Sequence, residues 1–106
     1  MKHIDNVTDL QNVQVGERIL INWKREGSPE ISEGNYRHHG ELNKETKEGS
    51  SYQQGIFITR TNPQSKSESE LIGINEDGSI GSRMMRSAYE GSEKKLTKQE
   101  MEEYFK

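Results

Sequence analysis

The chain has no cysteine, two prolines and a single alanine, Ala88. Without cysteine there are no disulfides and no thiolate metal sites, and a reducing cytosol is compatible with the composition. Without alanine-rich stretches, long helices are not expected outside the C-terminal segment. Aromatic side chains are few: one tryptophan, four tyrosines and two phenylalanines. No apolar run reaches the length of a membrane span or a signal-peptide core, so a cytoplasmic protein without membrane contact is expected. Asn6-Val7-Thr8 matches a glycosylation sequon and is read as chance in that setting. Leu, Ile, Val and Phe together number 19 of 106 residues, a small core for one domain.

The net charge is only −3, and it is evenly spread. Neither half has the basic footprint of a nucleic-acid-binding domain or the character of an acidic tail. A low apolar content with a small net charge describes a folded chain with much polar loop, not a disordered one.

What is present is β-pattern. In Val13–Lys24, the residues Val13, Val15, Ile19, Ile21 and Trp23 share one parity. Gln14, Arg18, Asn22 and Lys24 take the other, broken by Leu20, and Gly16 is placed for a bulge or bend. Tyr52–Arg60 is a second strand, with Tyr52, Ile56 and Ile58 expected on one face and Phe57 on the other. Asn35–Leu42 is a weaker one, with Tyr36, His38 and Leu42 expected together. Asp77-Gly78, between Leu71–Ile74 and Ile80–Arg86, marks a hairpin, since glycine takes positive φ without a Cβ clash. Ile4, Val7 and Leu10, with Asp5 or Asn6 as cap, suggest one helical turn. Residues 26–30, 43–50 and 61–69 read as polar loops, those at 43–51 and 61–69 mobile. Thr97 and Glu100 form a capping-box pattern, with Leu96 and Met101 as a hydrophobic staple, for a helix at about 97–106. The expected architecture is a single small domain over 1–106, mainly β: a barrel or strongly bent antiparallel sheet of 4–6 strands with that capping helix. Val15-Gly16-Glu17-Arg18-Ile19 resembles the first-strand phrase of SH3-like barrels, which implies the same compact barrel.

Chemistry is harder to find. His38-His39 with Glu41 is the one cluster that suggests a metal, but neighbouring residues on a strand point to opposite faces, so no metal site is expected. There is no G-x-S-x-G elbow and no phosphate-binding glycine loop; Gly73, Gly78 and Gly81 read as turn and bulge residues. Neither an enzyme nor a cofactor is expected.

Arg18, Lys24, Arg25, Arg37, Arg60, Arg83 and Arg86 fall mainly on or beside strands, whereas the lysines concentrate in loops and termini. A guanidinium on a sheet suits carboxylate or phosphate recognition, and it also covers apolar edges with its stem. Candidate binding residues are therefore Arg18, Trp23, Tyr36, Arg37, His38, Arg60, Arg83, Met85 and Arg86. Met84 and Met85 form a soft pair, of which alternation turns one outward. These features lead to a non-catalytic protein acting by protein–protein contact: a small accessory, adaptor or inhibitor, of the kind bacteria and phages encode. Nucleic-acid binding through the strand arginines, with Trp23, Tyr36 and Tyr89, is the alternative. Capture of a small phosphorylated ligand is a third reading. A homodimer is expected from the small core and an open sheet edge.

Overall fold

A computed structural model of the chain describes residues 1–25, 28–61, 67–87 and 98–106. It is mostly β: six strands in sequential order form one mixed sheet that curls into a half-barrel. They are β1 (Lys2–Ile4), β2 (Arg18–Arg25), β3 (Ser28–Glu41), β4 (Gln54–Thr61), β5 (Ser67–Ile74) and β6 (Ile80–Ser87). All neighbours are antiparallel except β1, which runs parallel to β2 with Ile4 beside Ile21. A 3-10 turn (Val7–Leu10) follows β1, α1 (Lys44–Lys47) lies between β3 and β4, and α2 (Lys98–Tyr104) ends the chain. No helix among the described residues is long and apolar enough to cross a membrane.

The sheet has a core on each face. The concave face buries Ile4, Ile19, Ile21, Ile56, Ile58, Ile72, Ile74 and Ile80 with Leu10, Trp23 and Tyr36. β-Branched side chains suit this pleated, enclosed surface. The convex face buries Leu42, Phe57, Leu71 and Phe105, flanked by Tyr52, Met84, Met85, Met101 and Tyr104. α2 is thus held on the outside of the sheet by its apolar residues. A bridge between Leu42 and Phe105 and the Asn43 amide donating to the Tyr104 carbonyl at 3.0 Å fix its end.

Three register slips set which side chains face inward, the last of them, between the Ile72 and Ile74 pairs, returning Ile80 to the concave face. Between β3 and β4 the register slips at Arg37: Tyr36 pairs with Ile58, and His38 with Phe57. Tyr36 therefore faces the concave core, while His38 faces outward and packs edge-on against Phe105 at 4.6 Å. Tyr36, His38 and Leu42 do not share a face, because the extra residue resets the alternation. Between β5 and β6 the register slips again, with Leu71 opposite Met85 and Ile72 opposite Arg83. Met84 is the extra residue, so both methionines lie against the convex cluster, half-buried, and neither turns into the concave core. The same slip leaves Arg83 and Arg86, three residues apart, on the concave side.

Other departures from the sequence pattern have local causes. Residues 15–16 form a turn, with Gly16 at φ +92° and its N–H donating to the Tyr36 carbonyl at 2.7 Å, so the first long strand starts at Arg18 and Val15 is exposed. Ser28–Glu30 already pairs with Trp23–Arg25 as strand. Asn43 caps α1 by accepting from the Thr46 N–H at 2.7 Å, which makes 44–47 helical and buries Thr46. Likewise Ser67–Ser69 belongs to β5. Tyr52 precedes β4 and lies on the convex face, over Gly73 and Gly81, where a Cβ would come within 2.3 and 2.2 Å of its ring. Those glycines are a seat for Tyr52. The Asp77-Gly78 hairpin is as expected, with Gly78 at φ +88°, as is the N-terminal turn, capped by Asn6 and Asp9 in a capping box. Leu96 and Thr97, on which the expected staple and cap of α2 rest, lie outside the described residues, as do Tyr89 and the sites 62–66.

Candidate functional site

The two ends of the half-barrel differ in chemistry. At one end the chain closes through backbone: Asn6 bridges Ser79, and the Val7 N–H donates to the Gly78 carbonyl at 2.8 Å. At the other, β2 and β6 approach without pairing, and side chains span the seam. This end is the mouth, where β2, β4 and β6 end and β3 and β5 begin.

Glu70 on β5 is at the centre of the mouth, with a fully buried side chain. It is opposite Ile58 on β4 and Arg86 on β6. The Ser32 hydroxyl donates to its Oε2, and the Trp23 indole N–H donates to Ser32 Oγ at 2.9 Å. Its Oε1 accepts from Arg60 Nη1 at 3.2 Å, with Arg83 Nη1 at 3.8 Å and Arg86 Nε at 4.0 Å. Glu68, one turn of the pleat away, receives Arg86 in a close ion pair and lies 3.9 Å from Arg60. The Arg83 guanidinium stacks over the Trp23 ring, 5.3 Å from its centroid, which zips β6 to β2 across the seam.

Each member is placed by sequence-local geometry. Arg60 reaches Glu70 by folding over Gly34, where a Cβ would meet the Thr59 carbonyl oxygen at 2.8 Å and Arg60 Cγ at 3.1 Å. Arg83 and Arg86 face the site through the Met84 bulge. Ser32 stands opposite Ile21 on the face that Trp23 shares. A carboxylate this buried is tolerable only when hydrogen-bonded and paired, and here both conditions hold. The guanidinium groups are different: the side chains of Arg60, Arg83 and Arg86 keep 40, 35 and 42% of their surface exposed.

Of the nine candidate residues, the structure brings together Trp23, Arg60, Arg83 and Arg86. Arg18 pairs with Glu33 at 3.2 Å, and Arg37 donates to Thr59 Oγ1 at 2.9 Å on the opposite face from Tyr36. His38 and Met85 belong to the convex face. Trp23 is 5% exposed and Tyr36 is 7% exposed, so neither presents an open ring. Sequence reading missed Glu70 and Ser32, which look like ordinary strand polar residues. Their signal was parity: Glu68 and Glu70 alternate in phase with Ile72 and Ile74.

A second polar pair, buried Tyr36 with half-buried His39, lies farther along β3 on the concave face. The Tyr36 hydroxyl is 2.5 Å from His39 Nδ1. Burial raises the phenol pKa above its usual value, against a hydrogen bond at the His39 backbone; burial, then the charge of His38, lowers that of the imidazole. Both rings are therefore neutral near pH 7, and the imidazole tautomer sets which of them donates in this hydrogen bond. No group of three or more metal-ligating side chains occurs among the described residues.

No protein-family model, no curated protein and no solved structure matches this chain.

Proposed function

We propose that this is a non-catalytic binding protein that acts by protein–protein contact through the mouth of the half-barrel, as a small accessory, adaptor or inhibitor. The observation that carries this reading is the arginine–carboxylate cluster. Glu70 is fully buried and satisfied, Glu68 is ion-paired beside it, and the arginine side chains that hold them stay partly exposed. Preorganised arginines of this kind favour interface recognition, since little side-chain freedom remains to be lost on binding. Nucleic-acid binding would draw on the same arginines, but Trp23 is capped by Arg83 and has no face for a base, and two carboxylates stand among the cations.

Affinity capture from the native host after nuclease treatment, followed by hydrogen exchange on the complex, tests this reading. The expected result is a protein partner that survives nuclease and protects the mouth ends of β2, β5 and β6. Recovery of nothing but nuclease-sensitive material overturns it. Sedimentation equilibrium of the isolated chain decides separately whether a second copy is a partner.

A further inference from the structure

The outer face of the sheet carries a feature that the mouth does not use. Tyr52 lies across the backbones of Gly73 and Gly81, half-buried, with its hydroxyl 2.9 Å from Ser82 Oγ. Two open grooves meet at this ring. One, of about 680 Å³, lies between α1 and β6 and is lined by Glu45 and Glu48 at α1 and by Met84 and Met85 of β6. The other, of about 510 Å³, crosses the outside of the seam between β6 and β2, from Gly81 to Asp5 and Asn22. We infer that the two grooves form a second interaction surface, which takes an extended segment of a partner protein with a lysine or arginine seated beside Tyr52. This surface stands apart from the mouth and goes beyond the function proposed there.

Three observations choose this occupant. The first is charge. The lining of the two grooves, all of it among the described residues, holds the carboxylates of Glu45, Glu48 and Asp5 and no Lys, Arg or His. Among the described residues the side chains of Glu45 and Glu48 make no ion pair or hydrogen bond, and Asp5 commits one oxygen to the Asn22 amide at 2.8 Å. Lys44 and Lys47 of α1 line neither groove, and Lys47 pairs with Glu41 at 3.0 Å. A phosphate backbone would meet only like charge here, whereas a cation gains from each carboxylate. The second is apolar surface. Met84 and Met85 are half-buried, and thioethers adapt to the stem of an incoming side chain. Ile31, opposite Asn22 on β3 and so on the same outer face, stays 60% exposed. A peptide with an apolar residue covers it, and a neutral sugar chain does not. The third is the ring itself. Its glycine seat and its Ser82 contact fix Tyr52 in place, so it offers a rigid platform for an aliphatic stem and a cation–π contact for the charged head.

The test is titration of the full chain with a short capped peptide carrying two arginines around a leucine, against its glutamine analogue and a neutral glucose oligomer, with backbone and methyl NMR signals as readout. The signals of Tyr52, Met84, Met85 and Ile31 should move together and saturate at roughly millimolar arginine peptide. The glutamine analogue should bind about tenfold more weakly. Glu45→Gln combined with Glu48→Gln should weaken the arginine peptide about threefold, and Ile31→Ser should weaken it by about as much. Tyr52→Leu, which removes the platform, should weaken it about tenfold. Should Tyr52→Leu fail to fold, the surface variants at Glu45, Glu48 and Ile31 still decide the matter. Equal binding of the two peptides, tighter binding of the glucose oligomer, or shifts confined to the mouth overturns the inference. So does unchanged affinity in the Glu45→Gln, Glu48→Gln chain, or no binding at tens of millimolar peptide.

Discussion

The half-barrel is closed at one end by hydrogen-bonded backbone and at the other by ionised side chains. At the closed end, a two-residue bridge, a capped 3-10 turn and a glycine at positive φ bring β1 against the β5–β6 hairpin. At the mouth, no ladder joins β2 to β6, and the Trp23–Ser32–Glu70–Arg chain holds the seam. The difference bears on function. Backbone closure is local and insensitive to which side chains surround it. Ionic closure concentrates unspent donors at one place and makes that place responsive to an incoming charge. A chain with a small apolar core has put its costliest buried group, the Glu70 carboxylate, at this ionic end.

The largest test of this contrast is removal of the carboxylate at its centre. Glu70→Ala removes the buried carboxylate that Arg60, Arg83 and Arg86 share and leaves Glu68 beside them, and breaking a buried ion pair costs about 3–5 kcal/mol. Chemical denaturation should show a loss of that order, and hydrogen exchange should show it concentrated at the mouth ends of β2 and β6. Glu70→Gln, which keeps the shape and the Ser32 contact, should cost less. A loss under about 1 kcal/mol for Glu70→Ala would mean that the apolar cores alone hold the seam, and that the two ends are not closed differently.

The closed end should fail by a smaller amount and for a conformational reason. Gly78 is at φ +88°, and a Cβ there would come within 3.0 Å of Val7 Cγ1. Gly78→Ala should therefore cost about 1–2 kcal/mol through backbone strain and a crowded Val7. Its effect on denaturation midpoint should be independent of salt, whereas the mouth, with exposed guanidinium groups, should weaken as salt rises. A salt-dependent Gly78→Ala effect would blur the distinction.

How much of this was legible in the sequence follows the same division. The Asp77-Gly78 hairpin, the Asn6-capped turn and the strands around Ile19–Trp23 and Ile56–Ile58 are local signals, and they read correctly. The mouth was half legible. Trp23, Arg60, Arg83 and Arg86 were singled out, but as an open aromatic and basic face. What reorganised them were two bulges, at Arg37 and Met84, each a single extra residue that shifts parity without leaving a composition mark. The first parted Tyr36 from His38 and Leu42. The second put both methionines against the convex cluster and aligned Arg83 with Arg86. Gly34, Gly73 and Gly81 were opaque for a related reason: what they accommodate, Arg60 and Tyr52, comes from elsewhere in the chain. β1 was missed because three residues give no periodicity to read.

The smallest expected effect separates the neutral pair of the concave face from the ionised mouth by pH. Burial, with a contribution from His38, holds the His39 pKa below its ordinary value of 6.5, so the folded state resists protonation that the unfolded chain accepts. Stability should be at its plateau above about pH 6.5 and decline as pH falls toward the lowered folded value. Below that value the loss should level off. Glu41 and Asp77 are held below their ordinary values of 4.5 and 3.8, chiefly by hydrogen bonds from Lys47 and the Ser79 hydroxyl, so their contribution is lost only as pH falls below those values. Thermal melts from about pH 8 to about pH 5 should show a shallow fall in Tm for the wild-type chain. His39→Gln, which retains a polar partner for Tyr36 and cannot titrate, should flatten that fall while leaving the salt dependence of the mouth unchanged. If the slope survives in His39→Gln, the proton is taken up elsewhere, and the concave face is not divided into a neutral interior and an ionised mouth.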